Sequence, residues 1–248
     1  MRRNSVDLYF NNVTSILQEV LDKERDSIEK TASLMAKCIA QKRSVFAFGC
    51  NHAGLITLEL FYRTGGLVTV NPIRAPGMML EITPITSSSK MERMQDYGKI
   101  IFDGLPASPG DLIIIHSVSG RNNVTIDMAA AAKAKGLSVV VLTNLTMAKN
   151  VNSRHPSGKK LHDFGDIVID NHGDDGDASV KLNGFDQKVA PTSTAVGAVI
   201  LNSIVARTTE ILLEQNITPP IFKSGNVDGG DKFNAKIIEE YKDNIFYM

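Results

Sequence analysis

The 248-residue sequence predicts an α/β fold organised around a doubly wound parallel sheet. Short runs rich in apolar and β-branched residues recur at 44–49, 67–73, 111–117, 138–144 and 166–171. Turn residues and helix-forming stretches alternate with them. The third run, DLIIIHS, is apolar without alternation, the pattern of a strand covered by helices on both faces.

The elements follow in order. Residues 5–43 are rich in helix formers, with Leu17, Val20 and Leu21, then Ile28, Leu34, Met35, Cys38 and Ile39, at roughly helical spacing, so an N-terminal helical segment is expected. SVFAFG (Ser44 to Gly49) reads as a strand leading through CNHAG into the helix LITLELFYR, closed by Gly65 and Gly66. LVTVNPI is the next strand, and residues 90–103 form an amphipathic helix after the loop TPITSSS. After DLIIIHS comes NNVTIDMAAAAKAKG, with Asn122 or Asn123 as cap and Gly136 as stop. SVVVLTN and DIVIDN are further strands flanking the polar loop MAKNVNSRHPSGKK. Residues 191–216 open on proline and hydroxyl residues and continue apolar on nearly all sides, as a central buried helix does. The tail 227–246 is a turn and a last amphipathic helix, and no repeat or linker divides the chain.

Composition narrows the partners. Lys+Arg 27 against Asp+Glu 27 gives a formal charge of zero, so no global field draws nucleic acid or anionic lipid; a small ligand is expected. No apolar run follows the two N-terminal arginines and no stretch approaches membrane-spanning length, so a soluble cytoplasmic protein is expected. Cys38 and Cys50 offer neither a disulfide framework nor a metal-type pairing. Neither GxGxxG nor a Walker loop is present, against a nucleotide site, and no attached helix-turn-helix is evident.

Ligands of open parallel sheets sit outside the carboxyl ends of the strands. SVSGRNN occupies such a loop: Ser117 and Ser119 offer hydroxyls, Gly120 permits close backbone approach, and Asn122 stands where helical N–H groups and the dipole favour an anion, above all phosphate. Arg121 either adds a bidentate contact or points to solvent. The plain reading of the same residues is a cap and a turn.

The serine-glycine-asparagine loop, the FGCNH turn and APTST at the start of a buried helix together resemble the SIS (sugar isomerase) domain family. ELFYRTGGL, HSVSGRN, SRHPSGKKL, VAPTSTAVGA and NVDGGDKFN, in that order, are similar to a branch of small standalone proteins labelled as phosphoheptose isomerases. The resemblance runs from about residue 5 to residue 245. It implies a three-layer αβα sandwich with a flavodoxin-like sheet of about five strands, one SIS domain over 1–248 with segment 5–43 packed on it, and a homodimer or homotetramer. It also implies a phosphosugar (carbohydrate derivative) site formed by Gly49, Asn51, His52, Ser117, Ser119, Gly120, Arg121, Asn122, Thr192, Ser193 and Thr194, with no cofactor. The chain departs from the branch at Asn51 and Ala53, where a second glycine and a serine are common, and at Val118, commonly asparagine.

An aldose-ketose isomerase needs a carboxylate or histidine beside the sugar's first carbons. His52, Glu59 and Arg63 recur at helical spacing on the helix after the first strand. The corresponding helix of phosphoheptose isomerases carries a zinc-binding histidine and, one turn later, an acid where Glu59 and Arg63 stand, and a cation at Arg63 can serve neither as that acid nor as a metal ligand. No metal is therefore expected, and a buried Glu59–Arg63 ion pair at a subunit contact is the plain alternative. His155 lies in a basic loop able to close over a phosphate, whereas His116 ends a strand. His172 precedes an acidic turn without calcium-loop spacing, and Cys50 beside His52 reads as a small buried hydrophobe. Two functions stand: a phosphosugar isomerase acting through Glu59 or His155, and a non-catalytic phosphosugar sensor.

Overall fold

The computed structural model describes residues 4–248. Helix α1, Ser5–Ala40, opens with a capping box: Asn4 Oδ1 accepts from the N–H groups of Val6 and Asp7, and Asp7 accepts from the Asn4 N–H. At 36 residues it is about 54 Å long. The chain continues through β1 (Val45–Gly49), α2 (His52–Glu59), β2 (Val70–Pro72), α3 (Thr86–Met91), α4 (Tyr97–Asp103), β3 (Leu112–His116) and α5 (Asn123–Lys135). It ends with β4 (Ser138–Thr143), α6 (Leu145–Asn150), β5 (Ile167–Asp170), the hairpin β6 (Ala178–Lys181) and β7 (Lys188–Pro191), α7 (Ser193–Glu214) and α8 (Gly230–Glu240).

β1 to β5 form a parallel sheet in the order β2-β1-β3-β4-β5, the flavodoxin-like arrangement expected. Successive strand residues face opposite sides. Val45, Ala47, Leu112, Ile114, Val140 and Leu142 pack with α1, α7 and α8, while Phe46, Phe48, Ile113, Ile115, Val139 and Val141 pack with α4 and α5. Chain leaving β1 crosses to β2 on one side and chain leaving β3 to β4 on the other. The crevice of such a sheet therefore lies between the ends of β1 and β3, where Gly49 pairs with His116.

Several expectations need correction. Helix α2 stops at Glu59, short of Gly65, because the next residues turn away: Tyr62 takes φ +46°, and the Phe61 and Tyr62 rings pack edge-on against Tyr247 and Phe222. β2 is only three residues long, since Val68 donates instead to Pro220 O and Pro72 lacks an N–H. The single helix at 90–103 is two: the Glu92 carbonyl accepts the Val124 N–H and the Arg93 carbonyl accepts Asn123 Nδ2, so both are withdrawn from helical pairing. α6 takes up the start of the polar loop, and the β6–β7 hairpin was not expected. α1 braces that hairpin, Tyr9 Oη donating to Pro191 O and Asn12 Nδ2 to Ser179 O.

α7 overturns the statement that no stretch approaches membrane-spanning length: its 22 residues and a window of mean hydropathy 1.5 meet that test. Half of that window is buried, with Val196, Ile200, Ile204 and Leu212 packed in the core, as in the central helix of a folded domain.

Candidate functional site

The loop Ser117 to Asn122 leaves the carboxyl end of β3, and its conformation is fixed from within. Gly120 adopts φ +59°, which glycine takes without strain, and its N–H donates to Ser117 Oγ at 3.2 Å. Thr143 Oγ1, at the end of β4, donates to the carbonyl of Ser117 at 2.7 Å. Ser117 is 5% exposed, and its hydroxyl accepts from within the loop. Ser119 is half-buried, and its hydroxyl is unbonded among the described residues. Arg121 turns inward, its Nε buried with no partner among the described residues. Asn122 caps α5 by position only: its Oδ1 accepts from Arg154 Nη1 at 2.6 Å instead of from the helix.

Segment 151–161 lies over this loop as a lid. Arg154 N donates to Arg121 O and Leu161 N to Gly120 O, both at 2.9 Å. His155 Nε2 meets Asp127 Oδ1 of α5 at 2.9 Å, and its Nδ1 meets Ser157 Oγ at 2.7 Å. Both ring nitrogens are thus engaged, so His155 latches the lid and has no free lone pair for a substrate proton. Arg93, brought in by the break between α3 and α4, completes a basic cluster at the first turn of α5. Burial and then the neighbouring charges of Arg121 and Arg93 push the Arg154 pKa down, while Glu92 opposes them. Glu92 is the carboxylate whose charge acts on Arg154. Arg93 and Arg154 were missed from sequence because no local pattern carries either residue to this point.

The neighbouring turns complete the edge. A Cβ on Gly49 would lie 2.5 Å from Ala53 O, so only glycine fits beneath α2. Asn51 has φ +54°, and its Oδ1 is buried without a partner among the described residues; His52 is exposed. His116 is 1% exposed, and its Nδ1 lies 3.0 Å from Ala53 O. Burial pushes its pKa down to about 4, so the ring is neutral at physiological pH, with Nδ1 as donor and Nε2 unpartnered among the described residues. Thr192 and Ser193 open α7, but their N–H groups bond to Asp177 Oδ1 at 3.2 and 2.8 Å, and Ser193 Oγ donates to Asp177 Oδ2 at 2.6 Å. Ser193 is therefore taken up by a carboxylate. Thr192 Oγ1 is buried and unpartnered among the described residues, and Thr194 is exposed.

Glu59 is not part of this edge. It pairs with Arg63, beyond the end of α2, and accepts from Asn202 Nδ2 at 3.2 Å. Asn202 lies nine residues, about 13 Å, along α7 from Ser193. The Glu59–Arg63 pair is partly exposed in the single chain, and a carboxylate neutralised by arginine does not suit a zinc ion. Among the described residues no group of three or more His, Cys, Asp or Glu side chains is arranged to hold a metal. The acidic turn after His172 is engaged by protein groups: Asp174 by Lys188, Asp175 by Asn150 and Asp177 by α7. His172 itself joins Glu24 of α1 at 3.0 Å. Burial pushes the Cys50 thiol well up, which removes it as a nucleophile. A groove of about 400 Å³ between α1 and α7, lined by Leu17, Leu21, Ile28 and Val199, is mostly apolar and lacks the basic cluster of the sheet edge.

Comparison with known proteins gives the lineage. Residues 8–144 match the profile of the SIS domain. A UPF0309 protein of Shouchella clausii is 46% identical over 243 residues, 98% of this chain and 99% of that protein. Another, from Oceanobacillus iheyensis, is 46% identical over 240 residues, covering 97% and 98%. Among solved structures, a phosphoheptose isomerase from Francisella tularensis aligns with a TM-score of 0.55 at 14% identity, over 83% of this chain and 96% of that one, a likeness of fold.

Proposed function

Since the chain belongs to the SIS domain family, we propose that the edge between β1, β3 and the first turn of α5 is a phosphosugar-binding site. The observation that carries this reading is the convergence of Arg93, Arg121 and Arg154 on that turn, with Glu92 as the acid beside them. A phosphomonoester brings about two negative charges and three acceptor oxygens. Guanidinium forks and free helical N–H groups suit it. With the lid down, Arg154 rests on Asn122 Oδ1, a contact that a phosphate replaces with a stronger one.

Binding without turnover is the activity this geometry supports best. Glu59 is held elsewhere, His155 is latched by Asp127 and Ser157, and His116 is a weak base. The isomerase reading retains one supporting observation, the His155–Asp127 pair, which regains a free imidazole nitrogen if the lid lifts. A homo-oligomer belongs to the same proposal, because α7 leaves Val199 and Leu213 exposed.

Thermal-shift titration with pentose, hexose and heptose phosphates tests the reading. At 100 times Kd, binding adds about 2.7 kcal/mol, roughly 5–10 °C in Tm for a chain of this size. Arg154→Gln should weaken the response at least tenfold in concentration. Absence of any shift across the panel, or an unchanged response in R154Q, overturns the assignment. A product assay on each hit separates isomerase from sensor.

A further inference from the structure

We propose that His116 is the residue through which this site recognises hydroxyl groups on the ligand's carbon body, so that it selects a polyhydroxylated phosphomonoester over inorganic phosphate or a phosphate ester bearing only a carboxylate. The proposal rests on the phosphosugar reading above and adds a specificity determinant to it.

The argument starts from the strand. His116 is the last residue of β3, where the run of isoleucines gives way to a ring that is 99% buried at the crevice between β1 and β3. A carbonyl oxygen only accepts, so the contact to Ala53 O places the ring proton on Nδ1. Nε2 then carries a lone pair, points away from α2, and has no partner among the described residues. Asp177, which caps α7, is near enough for its charge to act on the ring, so the imidazole sits between the first turns of α2 and α7. A buried acceptor left unpaired is costly, and buried polar atoms nearly always have partners.

Other orphaned atoms lie at the same ends of the strands and helices: Asn51 Oδ1 after β1, Asn171 Nδ2 after β5, Thr192 Oγ1 at the start of α7, and Arg121 Nε, Asn123 Oδ1 and Asp127 Oδ2 at the start of α5. Taken with Nε2 they are four acceptors, two donors and one hydroxyl. A carboxylate or a second phosphate oxygen can only accept, and so leaves Nε2 and Asn51 Oδ1 unsatisfied. A hydroxyl both donates and accepts, so a hydroxylated carbon body meets an acceptor such as Nε2 where a carboxylate does not. The basic cluster takes the phosphate at the first turn of α5, and the loop that leads into that turn begins at Ser117, the residue after His116.

The substitution His116→Asn tests this, because the shorter amide retains a donor for Ala53 O and removes Nε2. Calorimetric titrations of wild type and H116N use inorganic phosphate, 2-phosphoglycolate, arabinose 5-phosphate, glucose 6-phosphate and sedoheptulose 7-phosphate. The expected result is that at least one sugar phosphate binds wild type tenfold or more tightly than inorganic phosphate and 2-phosphoglycolate, and that H116N loses this advantage while keeping its inorganic phosphate affinity. If the two simple anions bind as tightly as every sugar phosphate, or if H116N keeps the advantage, the His116 proposal is wrong while the anion site stands. If none of the five binds, the phosphosugar reading itself fails. Should H116N not fold, the ¹⁵N resonance of His116 Nε2 in the wild-type protein decides: an upfield shift toward a hydrogen-bonded acceptor on adding the tightest-binding sugar phosphate is expected, and an unmoved resonance overturns the proposal.

Discussion

Acidification from pH 7 to 5 places a proton on the unfolded chain that the folded chain refuses. His116 titrates near its ordinary value of 6.5 when unfolded, whereas in the folded protein burial holds it down at about 4. The sign follows: the folded-state value is depressed, so the contribution of this histidine is complete above pH 6.5 and is lost as pH falls toward 4. At ~1.4 kcal/mol per pH unit, the loss from pH 7 to 5 is about 2 kcal/mol, and near pH 4 and below it approaches about 3 kcal/mol. Urea unfolding of wild type and H116N at pH 7, 6 and 5 isolates this contribution, because every other titrating group is common to both proteins. The stability difference in favour of wild type should shrink by about 2 kcal/mol over that range. A difference that stays constant with pH, or a His116 resonance in the folded protein titrating near 6.5, refutes the burial argument.

Three further outcomes follow from the same geometry. Asp177→Ala removes the acceptor that caps α7 and should cost about 1–2 kcal/mol in urea unfolding, the size of a lost helix cap. Gly49→Ala forces a methyl to 2.5 Å from a backbone carbonyl, so a loss of about 3 kcal/mol or failure to accumulate as soluble protein is expected on expression and denaturation. Glu59→Gln, distant from the basic cluster, should leave sugar-phosphate affinity within twofold of wild type by calorimetry, and a larger change would bring Glu59 back into the site.

The sheet was legible because most of its strands are written in short apolar runs rich in β-branched residues and its turns in glycine and asparagine. Gly136 ends α5 in the left-handed conformation as expected, and Asn122 precedes its first turn. The Ser117 to Asn122 loop was found for the same local reason. What escaped was set by long-range pairing. Arg93 reaches the site only because the carbonyls of Glu92 and Arg93 bond to α5, and no window around residue 93 records that. Which carboxylate of the acidic turn caps α7 was equally hidden. The hairpin had a readable signal in Asn183-Gly184 between VKL and FDQKV, with Gly184 at φ +75°, and was overlooked. His116 was read as a strand end because sequence does not tell which ring nitrogen finds a partner.

Residues 4–12 act on the proposed ligand edge from far away in the chain. By holding Pro191 and Ser179 through Tyr9 and Asn12, the outer half of α1 works as a strut against the hairpin that carries Asp177 to α7. Trimming those residues, or pressing a bulky purification tag against them, is therefore an intervention at the threshold of the proposed site, and an assay run on such a protein reports the loosened strut as much as the chemistry under study.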